Sequence, residues 1–160
     1  MCLIFAALDA HPRYRLIVAA NRDEFHSRET AQLASWVRPH EHCAEILAGR
    51  DLVGGGTWMG VTSTGRFSAL TNYRGPNVGN ENPPSRGRLV SGFLETETPV
   101  GPYCEALKVV GPDYNGFSLL AYDGDTLMCY SNRADKLTEV CSGVHGLSNH
   151  LLNSPWPKVT

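Results

Sequence analysis

The residue with the most distinctive chemical potential in this sequence is Cys2, which directly follows Met1. Its side chain is small enough for an initiator-methionine peptidase to act, and removal of Met1 would leave a thiol and a free α-amine on one residue. An unperturbed thiol titrates near ~8.5 and an α-amine near ~7.7–8.0, so part of the amine can accept the thiol proton at neutral pH. The alternative is a small buried hydrophobe that begins a strand. Position alone leaves both interpretations open.

A polar cluster follows the second apolar run of the chain. Asn21, Arg22 and Asp23 come directly after this run, and the ends of strands are where scaffolds often present reactive groups. If the first two runs pair as antiparallel strands, the start of one lies near the end of the other. This arrangement would place the cluster beside Cys2. A solvated loop with local ion pairs is the alternative interpretation.

Four further residues are candidates for the same site. Asn72 and Asn149 are ordinary turn or cap residues, but beside a thiol nucleophile their amides could stabilise a tetrahedral oxyanion. Trp58 and Tyr73 lie near the expected mouth of the site, although ordinary core or rim positions also suit them. Gly54–Gly56 favours a structural turn over a binding lip, and its spacing is not that of a nucleotide-binding fingerprint.

The apolar pattern predicts strand pairs with helices between them. We expect hairpins over residues 3–20, 57–72 and 117–130, a strand over 137–140, a surface loop over 75–86, and helices over 86–97 and from Pro102. Ser85 is the expected cap of the first helix. The near-continuous apolarity of the first two runs predicts strands covered on both faces. This element order indicates an α+β domain and not a parallel βαβ series.

Composition excludes several classes of protein. The 160 residues suit one domain with 42% apolar residues, and a net charge of −2 without a basic stripe argues against a nucleic-acid partner. No run approaches the ~20 apolar residues of a membrane span, and no basic export signal precedes the first apolar run. We therefore expect a cytoplasmic protein.

Cysteine and histidine spacing indicates neither a disulfide framework nor a metal site. The five cysteines are an odd number without a Cys-x-x-Cys pair, which favours reduced thiols. His40 and His42 flank Glu41 in an expected loop, and a solvated loop is favoured over a two-histidine metal site because no further ligand follows at a recognisable spacing. We expect no metal and no cofactor.

Seven short motifs occur in the order that is typical of one family. They are Met1-Cys2, Ala20-Asn21-Arg22-Asp23-Glu24-Phe25 with Ser27-Arg28, Gly55-Gly56-Thr57-Trp58, Leu70-Thr71-Asn72-Tyr73, Arg86-Gly87-Arg88-Leu89-Val90, Tyr114-Asn115-Gly116-Phe117 and Gly146-Leu147-Ser148-Asn149. Together they resemble the NRDE family, which includes the transport and Golgi organisation protein 2 type. The resemblance covers essentially the whole chain. It implies that residues 1–160 form a single domain that is the N-terminal portion of a longer family domain.

The resemblance implies a fold and an activity. The family is similar to N-terminal-nucleophile hydrolases such as choloylglycine hydrolase and penicillin V acylase, which implies a four-layer αββα fold with two stacked, mainly antiparallel sheets, its C-terminal part lying beyond residue 160. Cys2 would be the nucleophile, Arg22 and Asp23 would match the Arg and Asp after the second strand, and Asn149, with Asn72 as a weaker match, would form the oxyanion hole. The implied activity is cysteine amidohydrolysis of a non-peptide C–N bond in a small acyl amide. Asn21, Trp58 and Tyr73 would contact this substrate.

The resemblance also implies a second function of a different class. A non-enzymatic carrier could hold haem, a lipid or another acyl ligand between the layers, with Cys2 touching that ligand. Its partner would be an apolar small molecule in place of an amide substrate. Oligomeric state stays open under both hypotheses.

Overall fold

The fold is given by a computed structural model that describes residues 2–36, 44–75 and 81–155. These residues form ten strands and two α-helices. The strands are β1 (Leu3–Leu8), β2 (Leu16–Asn21), β3 (Thr30–Trp36), β4 (Ile46–Asp51), β5 (Met59–Thr62), β6 (Phe67–Asn72), β7 (Phe117–Tyr122), β8 (Leu127–Ser131), β9 (Lys136–Glu139) and β10 (Gly143–Leu147). The helices are α1 (Gly87–Leu94) and α2 (Val100–Val110).

The smaller sheet contains three strands in the order β10-β1-β2. Its central strand, β1, is antiparallel to both neighbours, with Leu3 opposite Asn21 and Ile4 opposite Leu147. The predicted pairing of the first two apolar runs is therefore confirmed. The start of β1 lies between the ends of β2 and β10, and this edge of the sheet is where the candidate site lies.

The larger sheet contains seven strands, β3 to β9, in their order along the chain. Every neighbouring pair is antiparallel, and the two helices are inserted between β6 and β7. The predicted hairpins β5–β6 and β7–β8 are confirmed, as is a strand at β9. Two mainly antiparallel sheets with grouped helices make this an α+β fold, as expected.

Two hydrophobic cores join the sheets and helices into three layers. Strand β6 contributes to both cores, because alternate side chains of a strand point to opposite faces of the sheet. Phe67 and Ala69 pack with Ile4 in the core between the two sheets, while Leu70 packs with Phe93 in the core between the larger sheet and the helices. Phe93 has 0% exposure, and burying a side chain of this size contributes about 1.5–3 kcal/mol. The described residues thus stack as helices, seven-stranded sheet and three-stranded sheet.

The structure differs from several sequence expectations. α1 ends at Leu94 and not at Glu97, and its N-cap is Arg86 without a side-chain cap, so the expected cap by Ser85 is wrong. The expectation of two covered faces is wrong for β2, four of whose six residues are exposed. Within the described residues only one face of the three-stranded sheet packs on the larger sheet, so β2 is covered on that face only. The sequence analysis also missed three strands, β3, β4 and β10.

Other expectations concern cysteines, metals and membranes. Cys2, Cys104, Cys129 and Cys141 are free thiols. No group of three or more potential metal ligands occurs in the described part of the chain, and the His40 and His42 pair lies outside it, as does Cys43. Among the described helices none is long and apolar enough to cross a membrane.

Candidate active site

A cavity of about 760 Å³ opens at the edge where β1 begins and where β2 and β6 end. Four of the predicted catalytic residues reach its wall from different elements: Cys2 before β1, Arg22 and Asp23 after β2, and Asn149 after β10. Asn72, the last residue of β6, also lines it. The structure thus brings together all five residues that the sequence analysis assigned to catalysis.

Cys2, which directly precedes β1, lies between the residues that follow β2 and β10. Continuing the antiparallel register past Leu3 places Cys2 opposite Arg22 on one side and opposite Asn149 on the other. The Ser148 hydroxyl donates a hydrogen bond to the Cys2 carbonyl oxygen at 2.9 Å. Cys2 is therefore held through its backbone on the β10 side as well as by the strand pairing.

The surroundings of the Cys2 sulfur act on its pKa in opposite directions. Burial raises the pKa of the Cys2 thiol, while a hydrogen bond from the backbone N–H of Asp23 and the positive charge of Arg22 lower it. Burial prevails, so the pKa lies above its ordinary value. The resting thiol is protonated at neutral pH, and attack on a carbonyl would require a base.

Asn149 links the two sheets at the site. Its side-chain Nδ2 donates to the backbone oxygen of Asn72 at 2.8 Å, and its backbone carbonyl oxygen accepts from the Arg74 backbone N–H at 2.8 Å. Thr71 Oγ1 donates to the Ser148 carbonyl next to it. Asn149 is 2% exposed and its Oδ1 has no hydrogen-bond partner in the described structure. A buried amide oxygen without a partner carries a desolvation cost, which a hydrogen-bond donor that reaches this atom would offset.

Two predicted contact residues do not line the cavity, and one does. Trp58 is in its wall. Asn21 is not part of the wall; it donates from Nδ2 to Asp23 Oδ1 at 2.7 Å, which orients that carboxylate. Tyr73 points elsewhere, with its hydroxyl 2.9 Å from His150 Nε2 and the two rings 4.8 Å apart. Substrate contact by Asn21 or Tyr73 would have to be indirect.

A glycine-rich loop fixes the helical wall of the cavity. Gly55 and Gly56 have φ of +68° and +78°, values that favour glycine, so the predicted structural turn is present. A Cβ on Gly56 would lie 2.5 Å from the Gly87 carbonyl oxygen, and the Thr57 N–H donates to that oxygen at 3.2 Å. The loop therefore holds the first turn of α1 against the site, where Arg86 and Gly87 line the cavity.

Charged residues that the sequence analysis gave no role also line the cavity. Arg28 donates to Asp51 Oδ2 at 2.7 Å, and the other oxygen of Asp51 accepts from two backbone N–H groups of the turn at 3.0 Å each. Partial burial raises the pKa of Asp51, but these hydrogen bonds prevail and lower it. Arg74 and Arg86 complete this side. The only signal for Arg28 and Arg86 in the sequence was their presence in two of the seven motifs.

Comparison with known proteins gives the family. Residues 1–160 match the family described as Transport and Golgi organisation 2. The chain is 40% identical to the Transport and Golgi organization protein 2 homologs of Bos taurus and Homo sapiens over 172 residues, covering 99% of this chain. It is 29% identical over 178 residues to Transport and Golgi organization protein 2 of Drosophila melanogaster. It spans about 60% of the length of these relatives. This chain belongs to the Transport and Golgi organisation 2 family.

Proposed function

We propose that this chain carries the nucleophile of a cysteine N-terminal-nucleophile amidohydrolase that cleaves a non-peptide C–N bond in a small acyl amide. The observation that carries the proposal is a partly buried Cys2 thiol in a polar cavity, flanked by Asp23 and Asn149. The helix layer and the two sheets would be three layers of a four-layer αββα fold.

The proposal needs a base that can deprotonate Cys2. Among the described residues that line the cavity there is no histidine, the usual partner of a catalytic cysteine. The α-amine of Cys2 itself, freed by removal of Met1, has an ordinary pKa close to neutrality and lies on the same residue as the sulfur. The Asp23 carboxylate, oriented by Asn21, would hold this amine in place.

The reaction then runs in two balanced steps. The α-amine takes the thiol proton while Sγ attacks the amide carbon; the tetrahedral intermediate collapses as the C–N bond breaks, and the resulting ammonium returns the proton to the leaving amine. This step leaves an acyl thioester on Cys2. In the second step the α-amine takes a proton from water as the water oxygen attacks the thioester carbon. The C–S bond then breaks, the Cys2 ammonium returns the proton to the sulfur, and a carboxylic acid is released. Arg22 would stabilise the sulfur as it becomes negative.

Asn149 has the hydrogen-bonding capacity for two roles in these steps. One of its two N–H donors is used by the Asn72 carbonyl, which fixes the orientation of the amide group. The other N–H would donate to the oxyanion, assisted by the Asn72 side chain at the cavity wall. The Oδ1 atom without a partner would accept a hydrogen bond from the Cys2 ammonium.

The decisive experiment controls the N-terminus. The protein is made with a cleavable extension before Cys2 and assayed on a panel of small acyl amides before and after cleavage. We expect hydrolysis only after cleavage, together with an acyl adduct on Cys2 in intact mass spectra. Cys2→Ala should abolish turnover, whereas Cys141→Ala, which removes an exposed thiol that is not part of the cavity wall, should not. Equal activity in the extended form, or Met1 retained in active native protein, would disprove the mechanism.

A second candidate function is favoured by one observation. An apolar groove of about 490 Å³ lies between β2 and the strands β3 to β6, and its wall includes Leu16, Val18, Leu33, Leu47, Val61 and Phe67. Its volume is in the range of small-molecule sites, so it could hold an acyl chain or haem in a non-enzymatic carrier. Titration with a fluorescent fatty acid and with haem tests this. Tight ligand binding that is lost in Leu33→Asp, together with no hydrolysis of the amide panel, would favour the carrier function. Amide hydrolysis without ligand binding in the groove would reject the carrier function.

A further inference from the structure

The charges around the candidate active site are not balanced. Four arginines and three carboxylates line the cavity. Arg28 is paired with Asp51 at 2.7 Å, and Arg22 with Glu24 at 3.3 Å. The third carboxylate, Asp23, accepts a hydrogen bond from Asn21. Arg74 and Arg86 are the two remaining arginines, and within the described chain neither forms an ion pair with a carboxylate.

Arg86 is fixed in position although its charge is not neutralised. Its Nη1 donates to the carbonyl oxygen of Gly116 at 2.9 Å, and it is the N-cap residue of α1. A carbonyl oxygen orients a guanidinium without cancelling its charge, and among the described residues only one of the five N–H donors of Arg86 has a partner. The first turn of α1 contains no acidic residue that could supply the missing negative charge.

The electrostatic surroundings of Arg86 place it close to the proposed nucleophile. Partial burial and the charge of Arg28 lower the pKa of Arg86, while negative charge on Cys2 or Glu24 would raise it. These surroundings therefore disfavour the Arg86 cation, and an anion bound in the cavity would offset that cost. The cation remains charged because arginine does not lose its proton in proteins.

We propose that Arg86, assisted by Arg74, binds a carboxylate or phosphate group of the acyl amide whose carbonyl carbon is placed at Cys2. This inference rests on the proposed function and narrows its substrate to an anionic amide. Arg86 is a substrate-binding residue, whereas Arg28 and Arg22 each already have a carboxylate partner, in Asp51 and Glu24. Neutral amides of the same length would bind less well because they leave the two cations without a counter-charge.

The test uses alkylation of Cys2 and needs no turnover. N-iodoacetylglycine and N-iodoacetylglycinamide have the same length and differ in one terminal negative charge; a longer pair built on 4-aminobutyrate extends the reach. In each reaction the sulfur forms a bond to the CH₂ carbon, iodide leaves with the electron pair, and the thiol proton goes to solvent. Cys43→Ser and Cys141→Ser remove two other thiols, while burial raises the pKa of Cys104 and Cys129 to about 12 and keeps them unreactive.

We expect Cys2 to prefer the anionic reagent of at least one pair. Its anionic-to-neutral rate ratio should exceed that of N-acetylcysteine by about tenfold, because a cationic cavity raises the local concentration of anions. Arg86→Gln should remove most of this preference and Arg74→Gln part of it, whereas Arg86→Lys should retain it. Arg88→Gln is the matched control, since Arg88 is an exposed neighbour that does not line the cavity. Competition by acetate or by inorganic phosphate would identify the preferred anion.

The outcomes separate this inference from the proposed function. A ratio equal to that of N-acetylcysteine for both pairs, or one unchanged by Arg86→Gln, would overturn the anion subsite even if the protein hydrolyses amides. A clear preference that depends on Arg86 would support the subsite even if no hydrolysis is found. Thermal melting of each variant shows that a lost preference reflects the missing charge and not an unfolded protein, and retention by Arg86→Lys gives the same assurance.

Discussion

At the residue scale, the surroundings of Cys2 favour the protonated thiol over the thiolate. Burial raises its pKa more than the Asp23 N–H and Arg22 lower it. A raised thiol pKa means that thiolate forms at higher pH. In the form with an N-terminal extension, where no free amine is present on Cys2, we therefore expect the alkylation rate to rise with a midpoint above that of N-acetylcysteine. Arg22→Met should move the midpoint higher still. A midpoint below that of the reference thiol would contradict this assignment.

Asn149 offers a second test at this scale. Asn149→Ala leaves the Asn72 carbonyl without its donor, and we expect a loss of about 1–3 kcal/mol in the free energy of unfolding. Under the proposed mechanism kcat should also fall by about 10²–10³-fold through the lost oxyanion donor. Denaturant titration and amide hydrolysis measure the two effects.

Asn132 gives the matched control for that experiment. It donates from Nδ2 to the Gly111 carbonyl at 2.9 Å, but it does not line the cavity. Asn132→Ala should cost comparable stability with little change in kcat. If both variants lose activity in proportion to stability, Asn149 has a structural role only.

The residues of the site could be predicted to different degrees. Cys2 and the cluster Asn21 to Asp23 were predictable together, because a hairpin between the first two apolar runs necessarily brings them close. Arg86 could not be given a role, since its importance depends on which arginines are paired with carboxylates. The Arg28–Asp51 pair, for example, joins the segment before β3 to the last residue of β4, and no pattern along the chain predicts that contact.

At the element scale, the loop before β5 determines where α1 meets the cavity. Gly56→Ala would combine a strained φ of +78° with a Cβ 2.5 Å from the Gly87 carbonyl oxygen. Gly65→Ala has a similar φ of +84° but nothing within 4 Å of its Cβ. We expect Gly65→Ala to destabilise by about 1 kcal/mol from backbone strain alone, and Gly56→Ala to cost clearly more. Equal losses in urea unfolding would show that the close approach of the two backbones has no energetic role.

Strand and helix boundaries show which information the sequence lacks. β6 and β7 were predictable because each lies next to a clear turn signal, Ser63-Thr64-Gly65 before β6 and Asp123-Gly124-Asp125 after β7. β10 was missed because Gly143 and Gly146 weaken its strand pattern, and its pairing with β1 is what makes it a strand. α1 ends at Leu94, and near this end the distant residue Arg66 donates to the carbonyl oxygens of Phe93 at 3.5 Å and Thr98 at 2.7 Å. Long-range contacts of this kind leave no local signal.

At the scale of the whole molecule, burial is unevenly distributed between the layers. The middle of the seven-stranded sheet is packed on both faces, by helices on one side and by the three-stranded sheet on the other. β2 and β3 are mostly exposed, although both contain apolar residues such as Ile17 and Leu33 at 41% and 69% exposure. Local stability should follow this gradient, because backbone hydrogen bonds open most easily where few apolar contacts must be broken.

Native-state hydrogen exchange tests this gradient across the fold. We expect the hydrogen-bonded amides of β6 and β7 to exchange last, through global unfolding, since both strands are interior to the larger sheet. β1, central in the smaller sheet, should be intermediate, while β2 and β3 lie at the edges of the sheets that the described residues form and should exchange first. Peptide-resolved mass spectrometry at constant pH gives this order directly. Protection of β2 equal to that of β7 would contradict this gradient. It would show that β2 is covered in solution by more than the three layers of the described residues.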